Sequence, residues 1–153
     1  MWFEDKAEEA MNFYVSLFKD ARIVSIAKYP EGAEGPMKGM SGKVLTGVFQ
    51  LAGQQFMALD GGPVFKPSGA ISFFVECEDQ AEVDTLWGAL SANPQTEQCG
   101  WLQDKYGFTW QIIPKALPKL LTDPDRTKAN RAMRAMMTMK KIVIADLQKA
   151  FDG

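Results

Sequence analysis

The tetrad Asp5-Lys6-Ala7-Glu8 returns as Asp79-Gln80-Ala81-Glu82, each time after a strand-like hydrophobic stretch and before an amphipathic pattern. An Asp at a helix start accepts from the free amides of the first turn, and a Glu three residues on reaches back, so both copies read as helix caps. After the first copy, Ala7, Ala10, Met11, Tyr14, Leu17 and Phe18 share one helical face; after the second, Val83, Leu86, Trp87 and Leu90 do so. A strand-helix-strand unit made twice restricts the chain to paired sheets around a cleft, and the cleft-facing residues become the place to look for function.

The expected fold class is α+β: two βαβββ modules of mixed antiparallel sheet, residues 1–62 and 69–114, with a helical tail at 115–153, all in one domain. Strands are expected at Met1–Glu4, Arg22–Tyr29, Lys43–Ala52, Gln55–Leu59, Ala70–Glu78, Cys99–Gln103 and Gly107–Ile113, with helices at about 6–18 and 80–92. Pro30–Gly42 is aperiodic and rich in Gly and Pro, either a flap over the cleft or, as we favour, a plain hairpin connection. Only the short Pro94–Gln98 stretch stands where the second module needs its second strand. That module is therefore abbreviated, and its pocket wall there should be low or supplied by another chain.

Composition sets limits. With 153 residues, 46% hydrophobic and 24% charged, the chain is long enough for a real core. No run nears the roughly 18 apolar residues of a membrane span, and Met1-Trp2-Phe3-Glu4-Asp5 lacks the order of a secretion signal, so we expect a cytoplasmic protein without a membrane partner. Cys77 and Cys99 form no metal-type pair and read as reduced structural thiols. With no histidine to activate it, Cys99 is not expected to be a nucleophile.

Charge is unevenly spread. Residues 115–153 hold nine Lys/Arg against four Asp/Glu, net +5, whereas residues 1–114 hold eight against fifteen, net −7. The basic residues lie in helical pattern without interleaved aromatics, which argues against a nucleic-acid partner and for docking on an acidic body, its own or a partner's. In the tail, Ala116, Leu117, Leu120 and Leu121 make one apolar stripe, and Asp123-Pro124 is read as the cap of a new helix with proline in its first position. An apolar ridge continues through Ala129, Ala132, Met133, Met136, Met139, Val143, Leu147 and Ala150, suited to packing or to an adaptable surface.

Trp2-Phe3, Ala7-Glu8-Glu9-Ala10-Met11-Asn12-Phe13-Tyr14, Phe56-Met57-Ala58-Leu59-Asp60-Gly61-Gly62, Ala70-Ile71-Ser72-Phe73-Phe74-Val75 and the run from Cys99 to Pro114 together carry a resemblance. The chain resembles the PhnB-like branch of the glyoxalase/bleomycin-resistance (vicinal oxygen chelate) superfamily, whose members often bear the label 3-demethylubiquinone-9 3-methyltransferase. The resemblance is expected to cover nearly the whole chain, the Met-rich tail included, and implies a homodimer with strand or module exchange. The methyltransferase label is not adopted, because Gly61-Gly62-Pro63 leads into a strand and no glycine-rich strand-to-helix turn suits a nucleotide-type donor.

In metal-dependent relatives His and Glu from both sheets hold a divalent ion. Carried over by position, those ligands fall near Ala58, near Ala70 and on Gln111, with the first-strand ligand at or before Met1–Phe3, so no metal and no cofactor is expected. Strand parity places Ala58, Asp60, Ser72, Phe74, Glu76, Thr109, Gln111 and Ile113 on the cleft face, with Trp101 as an aromatic wall and Trp110 turned to the helix. The expected function is binding or sequestration of a small, partly apolar molecule in a metal-free cleft, as in resistance members. The alternative is an enzyme using Asp60 and Glu76 as acid/base partners.

Overall fold

A computed structural model of the chain describes residues 1–32 and 34–153. Ala33, within the Pro30–Gly42 connection, lies outside the described residues. The chain divides into two compact units, residues 1–67 and 68–153.

The first unit runs β1 (Trp2–Phe3), α1 (Ala7–Leu17), β2 (Arg22–Lys28), β3 (Val44–Leu51) and β4 (Gln54–Asp60). Its sheet has the order β1-β4-β3-β2, with β1 parallel to β4 and the other pairs antiparallel. Backbone bonds from Tyr29 N to Lys43 O (2.9 Å) and from Gly42 N to Tyr29 O (3.3 Å) make the 30–42 segment the hairpin connection between β2 and β3. Met11, Tyr14, Ala10 and Ala7 of α1 are fully buried over the sheet. Gly47 leaves room for Met11 there, because a Cβ would stand 2.4 Å from Met11 Sδ and displace the end of that side chain. Phe49 stacks between Tyr14 and Phe56 at centroid distances of 6.1 and 5.4 Å.

The second unit runs β5 (Ser72–Cys77), α2 (Gln80–Leu90), β6 (Trp101–Gln103), β7 (Thr109–Pro114), α3 (Ala116–Leu121), α4 (Arg126–Met136) and α5 (Ile144–Asp152). Its sheet has the order β5-β7-β6, with β5 parallel to β7 and β6 antiparallel to it. The duplication is visible in this wiring: in both units the opening strand lies parallel to the last, and the last lies antiparallel to the one before it. Among the described residues 94–98 no strand forms, only an isolated bridge between Gln98 and Trp101. The fold is thus α+β, with sheets of four and three strands and C-terminal helices.

The repeated tetrads differ in action. Asp79 caps α2 by accepting from Glu82 N (2.9 Å), and Glu82 accepts from Glu78 N (2.7 Å), a working capping box. In the first copy the helix starts one residue later, Lys6 is the cap position with no side-chain bond, and Asp60 Oδ1 accepts from Ala7 N at 2.7 Å. The expected Asp5 cap is thus replaced by a carboxylate 53 residues away in sequence. The tail also departs from expectation at its helix start. Asp125, not Asp123, caps α4, accepting from Thr127 N and Lys128 N, while Asp123 accepts from Asp125 N. The later aspartate is the one placed to reach two first-turn amides. The apolar ridge is broken by a reversal between Met137 and Val143 into α4 and α5, which pack on Ile113, Leu117 and Leu120 through Ala132 and Leu147, joined by Ile142 of the reversal. No helix among the described residues is long and apolar enough to cross a membrane.

Candidate functional site

The second sheet carries the site, because its two faces differ sharply. Phe73, Val75, Leu102, Trp110 and Ile112 fall in register on the face that α2 covers, with Trp110 2% exposed and Ile112 fully buried. Trp110 Nε1 donates to Asp104 Oδ2 at 2.7 Å, which satisfies the indole in the core. The opposite face presents Ser72, Phe74, Glu76, Thr109, Gln111, Ile113 and Trp101, as strand parity predicts. Across it Phe74, Gln111 and Trp101 stand side by side in one cross-strand row. Phe74 and Trp101 are 59% and 37% exposed, so two aromatic surfaces flank an amide.

Gln111 is oriented by its neighbour: Nε2 donates to Ser72 Oγ at 2.8 Å, and the amide oxygen has no protein partner among the described residues. One acceptor is therefore turned to whatever lies on this face. Above the row lies a groove of about 280 Å³ lined by Phe74, Cys99, Trp101, Gln111 and Ile113 from the sheet region, by Leu117, Pro118 and Leu121 of α3, and by Met136 of α4. None of these side chains is charged.

The tail is held in place over this face by main-chain bonds. Cys99 N and Gly100 N donate to Met139 O and Lys140 O, both at 2.8 Å, through a left-handed turn with φ of 52° and 86°. At Gly100 a Cβ would stand 2.6 Å from Ile113 Cδ1 and 3.1 Å from Ile112 O, so a side chain there would push into the groove floor. Gln80 of α2 donates to Ile142 O (3.1 Å) and accepts from Ile144 N (2.8 Å). Lys115, Lys140 and Lys141 pair with Glu78, Glu97 and Asp84, so the basic tail docks on acids of its own unit. The bond from Lys141, followed by that from Gln80, holds the Asp84 carboxyl below its ordinary value. Where the second module lacks a strand, a wall comes from the same chain.

The remaining sequence-predicted residues go elsewhere. Ala58 and Asp60 lie on the face of the first sheet covered by α1, since Ala58 pairs with Gly47 beneath Met11 and Asp60 binds Ala7. Their expected cleft-facing phase is thus off by one residue; Met57, 58% exposed, and Leu59 occupy the open face instead. Burial raises the Asp60 carboxyl above its ordinary value, an effect the Ala7 amide partly offsets. Glu76 belongs to the second unit's exposed face, away from α2. Cys77 is buried, and desolvation pushes its thiol up to about 12. Cys99 Sγ lies 3.5 Å from Met136 O, at the groove's edge. The donors at the three carried-over metal positions do not fit a transition-metal ion. Ala58 and Ala70 offer methyl groups, Gln111 a neutral amide, and no group of three or more His, Cys, Asp or Glu is placed to hold a metal among the described residues.

Two features escaped the sequence reading. Asp104, 3% exposed, accepts from Tyr106 N, Phe108 N and Trp110 Nε1 and so organises the β6-β7 turn. An Asp three residues before a Gly in a two-strand turn signals an Asx-type acceptor, though not its burial. The groove's upper wall was also missed, because it depends on the chain reversal after Met136.

The model of the 3-demethylubiquinone-9 3-methyltransferase family matches residues 1–113. Among solved structures, a PhnB protein from Bacillus cereus is 40% identical, with a TM-score of 0.62 over 74% of this chain and 95% of that one. A protein from Pseudomonas aeruginosa is 20% identical, with a TM-score of 0.51 over 72% of this chain and 90% of that one, a likeness of fold alone. No curated protein matches. The family match ends at residue 113, so the expectation that it extends through the Met-rich tail is corrected: α3, α4 and α5 lie beyond it.

Proposed function

This chain belongs to the 3-demethylubiquinone-9 3-methyltransferase family, PhnB-like proteins of glyoxalase-like fold, and from that premise we propose that it binds a small, partly apolar molecule in the groove on the open face of its second sheet. The observation that carries this reading is the row Phe74, Gln111, Trp101: two exposed aromatic surfaces with a fixed amide acceptor between them, under an uncharged wall. Aromatic surface supplies affinity, and the single amide supplies orientation. Methyl transfer is not carried over from the family's description, because Gly61-Gly62-Pro63 leads from β4 toward β5, and the strand-to-helix turns at Glu4–Lys6 and Glu78–Asp79 hold no glycine that would let an adenosine-bearing donor approach the backbone.

Binding is favoured over carboxylate catalysis for a specific reason. The Asp60 carboxylate is occupied by the amide of Ala7 on the helix-covered face, which leaves Glu76 without the acid/base partner that mechanism needs. The reading includes a homodimer, supported by the exposed apolar side chains Met57, Val64 and Phe65 of the first unit, and a monomer in sedimentation equilibrium would remove that part.

1-Naphthol, a neutral aromatic with one hydroxyl, tests the site directly by calorimetric titration. Phe74→Ala removes an exposed ring and leaves the core intact, so binding should weaken by about tenfold or more with the unfolding transition unchanged. Binding that is indifferent to both Phe74→Ala and Trp101→Ala would end the proposal.

A further inference from the structure

We infer that the helical tail, and not the family core, decides which ligands the groove accepts, and that it selects a neutral ring system of about two fused rings carrying one hydrogen-bond donor. The inference rests on the binding reading above and adds to it the class of ligand and the residues that choose it. A three-stranded sheet alone offers a shallow surface. Here the depth comes from Leu117, Pro118, Leu121 and Met136, all beyond the family match that ends at residue 113.

Three of those wall residues, Leu117, Leu121 and Met136, are packed into the second unit. Leu117 is 5% exposed and belongs to a cluster with Ile113, Leu120, Ala132, Ile142 and Leu147, against which Leu121 and Met136 pack. The paired bonds from Cys99 N and Gly100 N to Met139 O and Lys140 O anchor the reversal that follows Met136. The Gln80 side chain clamps the start of α5 through both its amide atoms. A wall tied at three separate points should discriminate by size, because widening it would disturb a packed cluster.

Size, charge and polarity each narrow the ligand. The groove measures about 280 Å³, nearly twice the roughly 150 Å³ of an apolar cavity that accepts benzene. It therefore has room for two fused rings and falls just below the roughly 300–1,000 Å³ of sites for drug-sized molecules. No lining side chain carries a charge, so an ionised ligand would lose hydration without gaining a partner. Gln111 commits one of its two amide hydrogens to Ser72 Oγ, which fixes the amide and leaves its oxygen to accept from a hydroxyl or N–H on the ligand.

The test titrates the full chain with 1-naphthol, 9-phenanthrol and 1-naphthoate. The unaltered protein should prefer 1-naphthol to each of the others by about tenfold or more. Leu121→Ala and Met136→Ala should each shift the ratio of 9-phenanthrol to 1-naphthol affinity by about tenfold in favour of 9-phenanthrol. Leu121→Trp should fill the groove and abolish 1-naphthol binding, while Leu121→Met, which keeps the wall, should retain the original preference and so show that the fold tolerates change there. If 1-naphthol binds in a Phe74-dependent way but its margin over 9-phenanthrol is the same in both alanine variants, the tail does not select and only this inference falls. If 1-naphthol does not bind, or binds without regard to both Phe74 and Trp101, the groove reading falls with it.

Discussion

In the first unit the buried carboxylate, Asp60, stands at the end of β4 and closes the start of α1 through Ala7, while in the second unit Asp104 stands at the end of β6 and gathers the amides of its own turn together with the indole of Trp110. Both side chains are nearly inaccessible, at 4% and 3% exposed. The difference lies in what each replaces. Asp60 does the work the local tetrad was expected to do, so α1 is pinned to its sheet by a long-range contact. The second unit keeps its local cap at Asp79 and uses its buried carboxylate to stiffen the shorter strand pair of its sheet, β6 and β7, which carries Trp101 and Gln111. One unit thus ties helix to sheet, and the other ties a binding face together.

That contrast predicts an order of effects. Asp104→Ala should be the most damaging of these changes, because it strands three donors at once, the buried Trp110 indole and two partly buried amides, a loss of about 4 kcal/mol in urea unfolding. Asp104→Asn should be milder, since its oxygen still serves the two backbone amides while the Trp110 bond is lost. If Asp104→Ala cost no more than a surface change, the second unit's face would owe its order to something else.

Asp60→Ala comes next, at about 2 kcal/mol, because one helix-start amide loses a charged acceptor. Its pH dependence has a defined sign. Burial raises the folded carboxyl above 3.8, so the folded chain holds that proton more tightly than the unfolded one. The stability this adds is fully present below 3.8 and is lost as pH rises through the raised folded value. The stability of the unaltered protein minus that of Asp60→Asn should therefore decline across that window. A flat or rising difference would mean that Asp60 is not desolvated as its burial indicates.

The two units also differ in how far their sequences disclosed them. In β5 and β7 the phase was legible, because Phe73, Val75, Trp110 and Ile112 alternate with Ser72, Glu76, Thr109 and Gln111, and only one choice buries the larger apolar set. In β4 both faces are partly apolar, with Phe56 and Ala58 on one and Met57 and Leu59 on the other. The deciding fact is that Gly47 leaves room for Met11, a contact between elements that no periodicity encodes. The same reason hid the groove: its floor is a strand pattern, but its wall exists only because the chain reverses after Met136 and returns its main chain to Cys99 and Gly100. Helix existence, duplication and the abbreviated module were readable; the partner of each helix start was readable only for α2.

The smallest predicted effects are the sharpest test of the comparison, because they concern the tetrads that look alike. Asp79→Ala removes a cap that is bonded in the structure and should cost about 1 kcal/mol. Asp5→Ala removes an exposed side chain outside the cap position and should fall within about 0.5 kcal/mol of no change. Measured side by side by denaturant unfolding, equal losses would show that both tetrads cap and that Asp60 supplements α1 rather than replacing its cap. A loss confined to Asp79→Ala would mean that two copies of one sequence module have come to start their helices by different means, local in the unit that holds the groove and long-range in the other.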